Sequence, residues 1–360
     1  MKKKGKIIYI SPNPSTFVQR DITILRNNYL VVPFLYSWSS KINTPFLFIR
    51  QAVGLIWHIR CSKAILVMFG GYWSLFPSII GKLTGRPVYI ILGGTDCVSF
   101  PDLKYGSLRK PLLKTCIKWS YQLCTRLIPV DHSLVVQDYS YYEKAIYPKQ
   151  GFRYFFPRLT TPYTVIFNGF DTDYWKPDPT VNRVRSSFIT VGPISSETRY
   201  ILKGIDLVYF LAREFPQSDF TIIGISESLR NRLPTLPPNL EIQPFLSSEK
   251  IRKRFSGAEF YLQLSISEGF PNAVCEAMLC ECIPIGSNVG ALPFIINDDG
   301  IIIPRRDREL IRSTIGSLLI LDPEMKRTIG HSARLRIMHH FPLGNREKAL
   351  AELIEGKMQG

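Results

Sequence analysis

The sequence predicts an α/β protein with two domains, each built on a parallel β-sheet that helices flank. Short apolar runs alternate with helical patterns along almost the whole chain, which is typical of parallel sheets. The 360 residues suffice for two domains of ordinary size, and an apolar content of 45% supplies each of them with a core. The proline-containing run at 176–179 is expected to link the two domains.

The first domain is predicted over residues 1–178. Its strands are expected at 6–11, 29–35, 64–69, 87–92 and 127–130, and its helices at 45–60, 72–82 and 105–126. The helix at 45–60 has apolar residues at roughly helical spacing, namely Phe46, Ile49, Val53, Ile56 and Trp57. This spacing predicts an amphipathic helix.

The second domain is predicted over residues 179–340. Its strands are expected at 187–191, 220–223, 241–243, 260–264, 282–285 and 301–304. Its helices are expected at 201–215, 227–233, 248–256, 307–321 and 323–340, with one more beginning near Pro271. Residues 341–360 are expected to form a C-terminal helix that crosses back to the first domain.

The composition excludes several kinds of site. Neither the seven cysteines nor the five histidines form a metal-binding pattern, and the cysteines show no disulfide framework, so we expect no metal and no other cofactor. No stretch reaches the ~18 uncharged apolar residues that a membrane span requires. The N-terminal lysines are followed by only Ile7-Ile8-Tyr9-Ile10, which is too short for a signal peptide, and we expect a cytoplasmic protein.

Positive charge is concentrated in the first half of the chain. Residues 1–180 contain 23 Lys and Arg against 9 Asp and Glu, whereas residues 181–360 contain 22 against 20. This asymmetry predicts an anionic partner for the first half. A nucleic-acid-binding protein would show such a charge, but no recognised module is present. The phosphate motif described below also lies in the near-neutral half, so we do not expect nucleic acid.

An anionic membrane surface is the partner that we expect instead. In the helix at 105–126, Lys110, Lys114 and Lys118 recur every four residues on one face. Aromatic and basic residues lie nearby, namely Trp119, Tyr121 and Arg126. The apolar side of this helix is expected to comprise Leu112, Leu113, Cys116, Ile117 and Leu123. Such a stripe is either a solvated face or a contact with the anionic inner leaflet of the cell membrane, and the second interpretation predicts peripheral attachment.

The stretch 265–290 carries the clearest functional signal. A strand ends in the polar turn 265–269, and a helix follows from about Pro271. Glu268 lies in the turn and Glu276 in the helix, with seven residues between them. The unpaired amides of a first helical turn favour an anion such as phosphate. Because ionised carboxylates only accept hydrogen bonds, the two glutamates suit the hydroxyls of a sugar or a ribose beside that phosphate.

This stretch resembles the donor motif of glycosyltransferase family 4, a large family of retaining nucleotide-sugar transferases. The similarity comprises Glu268, seven residues and Glu276, with Gly269-Phe270-Pro271-Asn272 directly after the first glutamate. Further similar segments are Val165–Asp173, Lys203-Gly204 and Asn288–Pro293. The resemblance implies the GT-B architecture, in which two Rossmann-like doubly wound domains face a cleft. It also implies retaining transfer of a sugar from a nucleoside diphosphate sugar to a hydroxyl acceptor.

The resemblance further implies which residues bind the donor. Lys203 would bind the diphosphate, Glu276 the ribose and Glu268 the hydroxyls of the donor sugar, and Lys203 and Glu268 are also expected to act in catalysis. Relatives have an arginine where this chain has Pro193, and Arg199 is our candidate for the missing charge. The other donor contacts are expected from Gly192, Gly269, Phe270, Pro271, Asn272, Val289 and Gly290.

Two turns of the first domain are expected to form the acceptor side. The turn Gly93-Gly94-Thr95-Asp96 is similar to a family turn, but Gly93 stands where relatives have a histidine. A catalytic role in aligning the acceptor therefore carries over only to Asp96, with Gly94 and Thr95 beside it. The alternative interpretation is a simple glycine turn capped by an aspartate. The second turn, Asp131-His132-Ser133, contributes His132.

One alternative enzyme class uses the same pair of domains, the nucleotide-sugar epimerases. Such an isomerase needs general acid and base groups in its site. The first half of the chain contains no obvious cluster of His, Asp and Glu for that purpose. Sugar transfer is therefore the expected function, and the expected acceptor is a lipid-linked sugar or another precursor of a cell-surface polysaccharide.

Overall fold

The computed structural model describes residues 3–38 and 42–357, and the chain forms two compact units. The first unit contains the residues up to 138, residues 149–169 and the residues from 344 onward. The second unit contains residues 139–148 and 170–343. The division at 169/170 lies before the predicted boundary at 178/179, and residues 139–148 contribute to the second unit from within the first.

The sheet of the first unit has five parallel strands. They are β1 (Lys6–Ser11), β2 (Leu30–Leu35), β3 (Ser62–Met68), β4 (Val88–Leu92) and β5 (Arg126–Pro129), in the order β2-β1-β3-β4-β5. The helices are α1 (Thr16–Asn28), α2 (Thr44–Ile59), α3 (Tyr72–Thr84), α4 (Pro111–Leu123) and the short α5 (Phe152–Phe155). Two short strands, β6 (Gln137–Asp138) and β7 (Lys149–Gln150), form a separate antiparallel pair. The inner strands β1, β3 and β4 are almost wholly buried, as helix-covered parallel strands are.

The sheet of the second unit has six parallel strands. They are β8 (Val184–Ile194), β9 (Asp219–Ile225), β10 (Leu240–Gln243), β11 (Ala258–Gln263), β12 (Ile283–Ser287) and β13 (Ile301–Ile303), in the order β10-β9-β8-β11-β12-β13. The helices are α6 (Glu197–Leu202), α7 (Ile205–Glu214), α8 (Glu227–Arg230), α9 (Ser248–Gly257), α10 (Asn272–Leu279), α11 (Leu292–Ile296), α12 (Arg308–Leu319) and α13 (Pro323–His340). The fully buried β11 lies inside this sheet and leads to the motif with the two glutamates.

The last helix, α14 (Leu343–Ile354), packs almost entirely within the first unit. Its Arg346 donates to both carboxylate oxygens of Asp21 on α1, at 2.6 and 2.7 Å. The hydroxyl of Tyr9 donates to the same carboxylate at 3.0 Å. Because all three side chains are buried, this network joins the end of the chain to β1 and α1.

Two predicted helices differ from the structure. The helix expected at 105–126 begins only at Pro111, after a separate 3₁₀ turn at 107–109, because the proline ring fits only a first helical turn. The helix expected at 201–215 is two helices, α6 and α7, separated by Lys203-Gly204. Three helices have no predicted counterpart, namely α1, the short α5 and α11. The buried face of α1 includes Asp21, and that charge interrupts its apolar pattern.

The helix α2 is amphipathic, but its apolar side is exposed and not packed against the unit. Its apolar stripe, Phe46, Ile49, Val53, Ile56 and Trp57, faces solvent. The residues that it buries against the unit are Gln51, Leu55 and Ile59. Within residues 3–38 and 42–357, no helix has both the length and the apolar character needed to cross a membrane.

Candidate functional site

The candidate site begins where β11 ends. The chain leaves this buried strand, passes through the turn 264–271 and enters α10 at Asn272, with Pro271 as the residue before the helix. The neighbouring strand β12 stabilises this turn, because the hydroxyl of Ser287 donates to the carbonyl of Ser265 at 2.6 Å. The turn thus lies at the carboxyl end of the sheet, which is where open α/β sheets bind ligands.

Lys203 and Glu268 form an ion pair in this turn. Lys203 Nζ lies 2.5 Å from Glu268 Oε1, and the two side chains are 19% and 9% exposed. Charge-assisted hydrogen bonds of this kind are among the strongest in proteins. Both residues are predicted site residues, and the structure brings them into direct contact although 65 positions separate them in the chain.

The break between α6 and α7 places Lys203 beside Glu268. Gly204 has a φ of +69°, and a Cβ atom there would lie 2.2 Å from the carbonyl oxygen of Leu264. Only glycine fits both the left-handed backbone and this close approach. The amide of Ile266 also donates to the carbonyl of Leu202 at 2.8 Å. The backbone next to Lys203 is therefore packed directly against the turn that carries Glu268.

Two polar residues of β11, absent from the sequence prediction, support Glu268. Gln263 Nε2 donates to Glu268 Oε1 and to the hydroxyl of Ser265, each at 2.8 Å. The hydroxyl of Tyr261 donates to Gln263 Oε1 at 2.8 Å. Tyr261 and Gln263 are two residues apart, so they share one face of the strand. The sequence does show two polar residues, two positions apart, in an otherwise apolar strand, and this pattern could have indicated a polar face directed at the site.

The surroundings keep Tyr261 protonated. Burial raises the pKa of its hydroxyl well above the ordinary value, and the negative charge of Glu268 raises this pKa further, with a smaller effect from Glu276. A neutral hydroxyl keeps its proton for Gln263. Tyr261 therefore donates a hydrogen bond to Gln263, and Gln263 in turn donates one to the carboxylate of Glu268.

The N-terminus of α10 supplies the expected helical amides. The helix begins at Asn272, and the amides of its first turn have no acceptor within the helix. Pro271 itself has no N–H to donate. The ring of Phe270 is buried, stacks with Phe170 at 6.2 Å between centroids and meets Phe341 edge-to-face at 5.3 Å. The aromatic side chain of Phe270 thus has a packing role, and any donor contact would involve its backbone.

The glycine loop after β12 rests on the same turn. Gly290 has a φ of +55°, and a Cβ atom there would lie 2.2 Å from the carbonyl oxygen of Glu268. The amide of Ala291 donates to the carbonyl of Gly269 at 3.0 Å. The amide of Val289 donates to the carbonyl of Ser287 at 2.8 Å, so it serves the loop itself. The loop and the turn form one rigid support for Glu268.

The remaining donor candidates lie on β8 and α6. Gly192 and Pro193 lie at an irregularity of β8, between the paired residues Val191 and Ile194, and a Cβ atom at Gly192 would meet open space. Arg199 lies four residues before Lys203 on α6 and its cap, which places both on one side of this turn of helix. Arg199 therefore stays the candidate for the second positive charge.

Asp96 has a different environment from the one that its predicted catalytic role requires. Its side chain is completely buried. The carboxylate accepts hydrogen bonds from Tyr121 Oη at 2.8 Å and from the amides of three glycines, at 2.8, 3.3 and 3.2 Å for Gly70, Gly93 and Gly94. Burial raises the pKa of Asp96, and these hydrogen bonds oppose that rise. The geometry favours the capped glycine turn over direct contact with an acceptor.

The other acceptor-side candidates remain accessible in part. Thr95 is half-buried beside Gly94, whose φ is +131°. His132 is exposed, and its ring contacts that of Phe167 with centroids 5.9 Å apart. Asp131, directly before it, is buried, with Oδ1 accepting from the Ser133 amide at 2.8 Å. Oδ2 of Asp131 has no partner within the described residues, which makes Asp131 a further polar group of this turn.

Comparisons with known proteins cover the segment that carries these residues. The family described as Glycosyl transferases group 1 matches residues 185–320, which include Lys203, Glu268 and Glu276. The phosphatidylinositol N-acetylglucosaminyltransferase gpi3 subunit of Schizosaccharomyces pombe is 24% identical over 180 residues, which are 47% of this chain and 38% of that protein. The chain thus matches less than half the length of this curated relative.

Solved structures resemble the chain over nearly its full length. Sucrose-phosphate synthase from Thermosynechococcus elongatus has a TM-score of 0.76 at 14% identity, covering 98% of this chain and 99% of that one. HepE from Anabaena in complex with UDP-glucose has a TM-score of 0.71 at 15% identity, covering 98% and 100%. A glycosyltransferase from Rickettsia africae has a TM-score of 0.68 at 14% identity, covering 100% of both chains.

These findings confirm the predicted fold class. The two parallel-sheet units are Rossmann-like, and the structural neighbours have the GT-B fold of glycosyltransferases. The family match and the neighbours both support a glycosyltransferase. The chain has the GT-B fold, and its residues 185–320 match the family described as Glycosyl transferases group 1.

Proposed function

We propose that the protein is a retaining glycosyltransferase of family 4 that moves a sugar from a nucleoside diphosphate sugar to a hydroxyl acceptor. The observation that carries this proposal is the contact between Lys203 and Glu268 beside the N-terminus of α10. A cation and a helix N-terminus suit a diphosphate, and a carboxylate suits the hydroxyls of a sugar. The arrangement lies inside the segment that matches the glycosyl transferase family.

Each residue has a separate role in this proposal. Lys203 and the first-turn amides of α10 hold the diphosphate, and Arg199 adds a second positive charge. Glu268 accepts hydrogen bonds from the donor sugar, while Glu276 accepts them from the ribose. Donors that are already in place stabilise the negative charge that develops on the leaving diphosphate.

The proposed reaction forms one bond and breaks one. The acceptor oxygen bonds to the anomeric carbon while the bond from that carbon to the diphosphate oxygen breaks, and the acceptor proton passes to this phosphate oxygen on the same face. A double displacement through a carboxylate nucleophile would also retain configuration. We favour the first route because Glu268 Oε1 already accepts hydrogen bonds from Lys203 and Gln263, which reduces its nucleophilicity.

We propose UDP as the nucleotide and a lipid-linked acceptor at a membrane surface. Solved structures of HepE, which shares the fold, contain UDP, UDP with glucose, and UDP-glucose. The relative from Schizosaccharomyces pombe is named for a phosphatidylinositol acceptor, which is a lipid. On the acceptor side, Gly94, Thr95 and His132 are the proposed contacts, with Asp96 holding their turn in shape. No metal or other cofactor has a part in this scheme.

Calorimetry with UDP tests the division of roles. Glu276→Gln is expected to weaken UDP binding at least tenfold, because a hydrogen bond to a charged group contributes ~1.5–3 kcal/mol. Glu268→Gln should leave UDP affinity within about threefold, since its partner is the sugar. Glu249→Gln, on the exposed surface of α9, is the matched control. Equal losses for Glu276 and Glu268 would contradict the assignment of the ribose to Glu276.

The stereochemistry is tested on the product. A nucleoside diphosphate sugar that stabilises the protein in thermal-shift screening is the donor for the assay. Retention predicts that the anomeric configuration of the transferred sugar, read by NMR, equals that of the donor. An inverted product would overturn the retaining mechanism, and an epimerised donor without transfer would favour the isomerase alternative.

A further inference from the structure

The apolar side of α2 is turned away from its own unit. The five side chains from Phe46 to Trp57 that form it are 59–81% exposed. On the buried side, Gln51 donates to the carbonyl of Trp73 at 2.7 Å. A helix of a globular protein ordinarily packs its apolar stripe against the core. An exposed apolar ridge of this length is typical of an interaction surface.

Neighbouring helices extend this ridge into a broader surface. Arg86 Nη2 on the loop after α3 donates to the carbonyl of Arg60 after α2 at 3.0 Å, so these two helices end side by side. The hydroxyls of Ser74 on α3 and Ser120 on α4 are 2.9 Å apart, so α4 is the next neighbour. We define the α2–α4 face by its exposed apolar side chains, Phe46, Ile49, Val53, Ile56, Trp57, Ile79, Leu83, Leu112 and Trp119.

The charge around the α2–α4 face has one sign. Residues 22–95 contain seven Lys and Arg and no Asp or Glu, and residues 103–130 contain six Lys and Arg and again no acid. Arg50, Lys82, Lys110 and Lys118 are exposed on or beside the three helices. Apolar side chains among uncompensated positive charges are complementary to an anionic lipid surface.

Two acidic residues of the same unit, Glu347 and Glu355, lie on or directly after α14 and not on α2, α3 or α4. Glu347 of α14 accepts hydrogen bonds from the side chains of Asn27 and Asn28, each at 3.1 Å. Glu355, directly after α14, accepts from Tyr29 Oη at 2.9 Å. Glu355 also pairs with Lys63 Nζ at 3.1 Å, so these two acids are grouped with the end of α1 and the start of β3. The α2–α4 face keeps its positive potential because its own helices contribute no acid to it.

The structure shows that only part of the predicted lysine stripe on α4 is exposed. Lys114 Nζ lies 5.4 Å from the ring centroid of Phe155 and is only half-exposed. Tyr121 is buried against Asp96, and Leu112, expected on the packed side, is exposed. The stripe thus retains Lys110, Lys118 and Trp119 as surface groups. The larger apolar contribution comes from α2.

We propose that the α2–α4 face binds an anionic membrane surface, with α2 lying in the plane of the interface. The ridge of α2 would enter the boundary between headgroups and acyl chains, and the flanking Lys and Arg would contact lipid phosphates. The purpose of this membrane binding, which is access to a lipid-linked acceptor, rests on the proposed function. The binding itself depends on neither the donor nor the transfer reaction.

Vesicle flotation of the full chain tests the proposal. The wild type is expected to float with vesicles of phosphatidylcholine and phosphatidylglycerol, and to bind pure phosphatidylcholine far less. The double variant Ile49→Glu/Trp57→Glu should reduce the bound fraction at anionic vesicles at least tenfold. Its matched control is Ile320→Glu/Met325→Glu, which changes two exposed apolar residues of the second unit and should bind like the wild type.

The outcomes separate this proposal from the proposed function. All variants are first compared by thermal unfolding and by UDP calorimetry, and intact UDP binding with lost vesicle binding supports the membrane face alone. Unchanged flotation of the Ile49→Glu/Trp57→Glu variant, or indifference of the wild type to lipid charge, would overturn it. A wild-type dimer that this variant dissociates, without vesicle binding by the wild type, would assign the face to a second copy of the chain.

Discussion

Glu268 and Asp96 are both carboxylates that follow a parallel strand, yet their surroundings differ. Glu268 follows β11, and its side chain is 9% exposed and accepts hydrogen bonds from the side chains of Lys203 and Gln263. Asp96 follows β4, is wholly buried and accepts from Tyr121 and from three glycine amides. One carboxylate is held by side chains and the other largely by the backbone.

The difference indicates what each carboxylate is available to do. A backbone amide that bonds to Asp96 defines the shape of the turn, and the turn would lose that shape if a ligand took the carboxylate. The side chain of Lys203 can rotate toward an incoming phosphate while Gln263 keeps Glu268 in place. An acid at the end of a strand therefore indicates a site only when its partners can exchange with a ligand.

The largest effect is expected for transfer by Glu268→Gln. The neutral amide keeps the size of the side chain but loses the charge that orients the sugar, so we expect kcat/KM to fall by ~10³. The free energy of unfolding is expected to fall as well, because the pair with Lys203 is largely buried, although the glutamine oxygen can still accept from Lys203 and Gln263. Steady-state kinetics and denaturant unfolding measure the two quantities. A variant within tenfold of the wild-type rate would remove Glu268 from the catalytic group.

Asp96→Ala is expected to act on stability instead. It leaves one buried tyrosine hydroxyl and three glycine amides, two of them buried, without their acceptor, and each buried group of this kind costs ~1–3 kcal/mol. We expect the free energy of unfolding to fall by ~3 kcal/mol or more. Asp102→Ala, at an exposed position, should change it by less than ~0.5 kcal/mol. Wild-type stability together with lost transfer in Asp96→Ala would restore the predicted catalytic role of Asp96.

Gln263→Leu should have the smallest effect. It tests whether a side-chain donor positions Glu268, in contrast to the backbone donors of Asp96. The leucine removes one of the two donors on Oε1 while Lys203 remains, so Glu268 is held less tightly. We expect kcat to fall about tenfold with little change in the KM of the donor, because the loss is in orientation. Gln243→Leu on β10 is the control for placing leucine at a strand glutamine. Equal effects of both variants on kcat would show that Gln263 has no special part in positioning Glu268.

Much of the fold could be predicted because buried parallel strands are continuous apolar runs. The strand at 6–11 has the bounds that the pattern predicts, and the strand at 87–92 differs by one residue. Helices were less certain where glycine and proline interrupt them. Lys203-Gly204 divides one predicted helix into α6 and α7, because Gly204 adopts a left-handed backbone against the carbonyl of Leu264.

The candidate site could be predicted as a set of residues but not as an arrangement. The spacing of Glu268 and Glu276 and the Lys203-Gly204 pair are visible in the chain. The contact between Lys203 and Glu268 depends on how α6 packs on the end of β11, which no local pattern encodes. Gln263 was missed because a polar residue in a buried strand gains its meaning from its hydrogen-bond partners.

The sequence by itself determined the alternation of strands and helices, the two-domain size, the donor-type motif and the excess of positive charge in the first half. Local propensity and the period of apolar residues are properties of neighbouring residues, so they survive without a structure. Only the tertiary structure decided which face of each element is buried. It turned the apolar stripe of α2 outward and the carboxylate of Asp96 inward, because burial depends on what packs against an element and not on its own period.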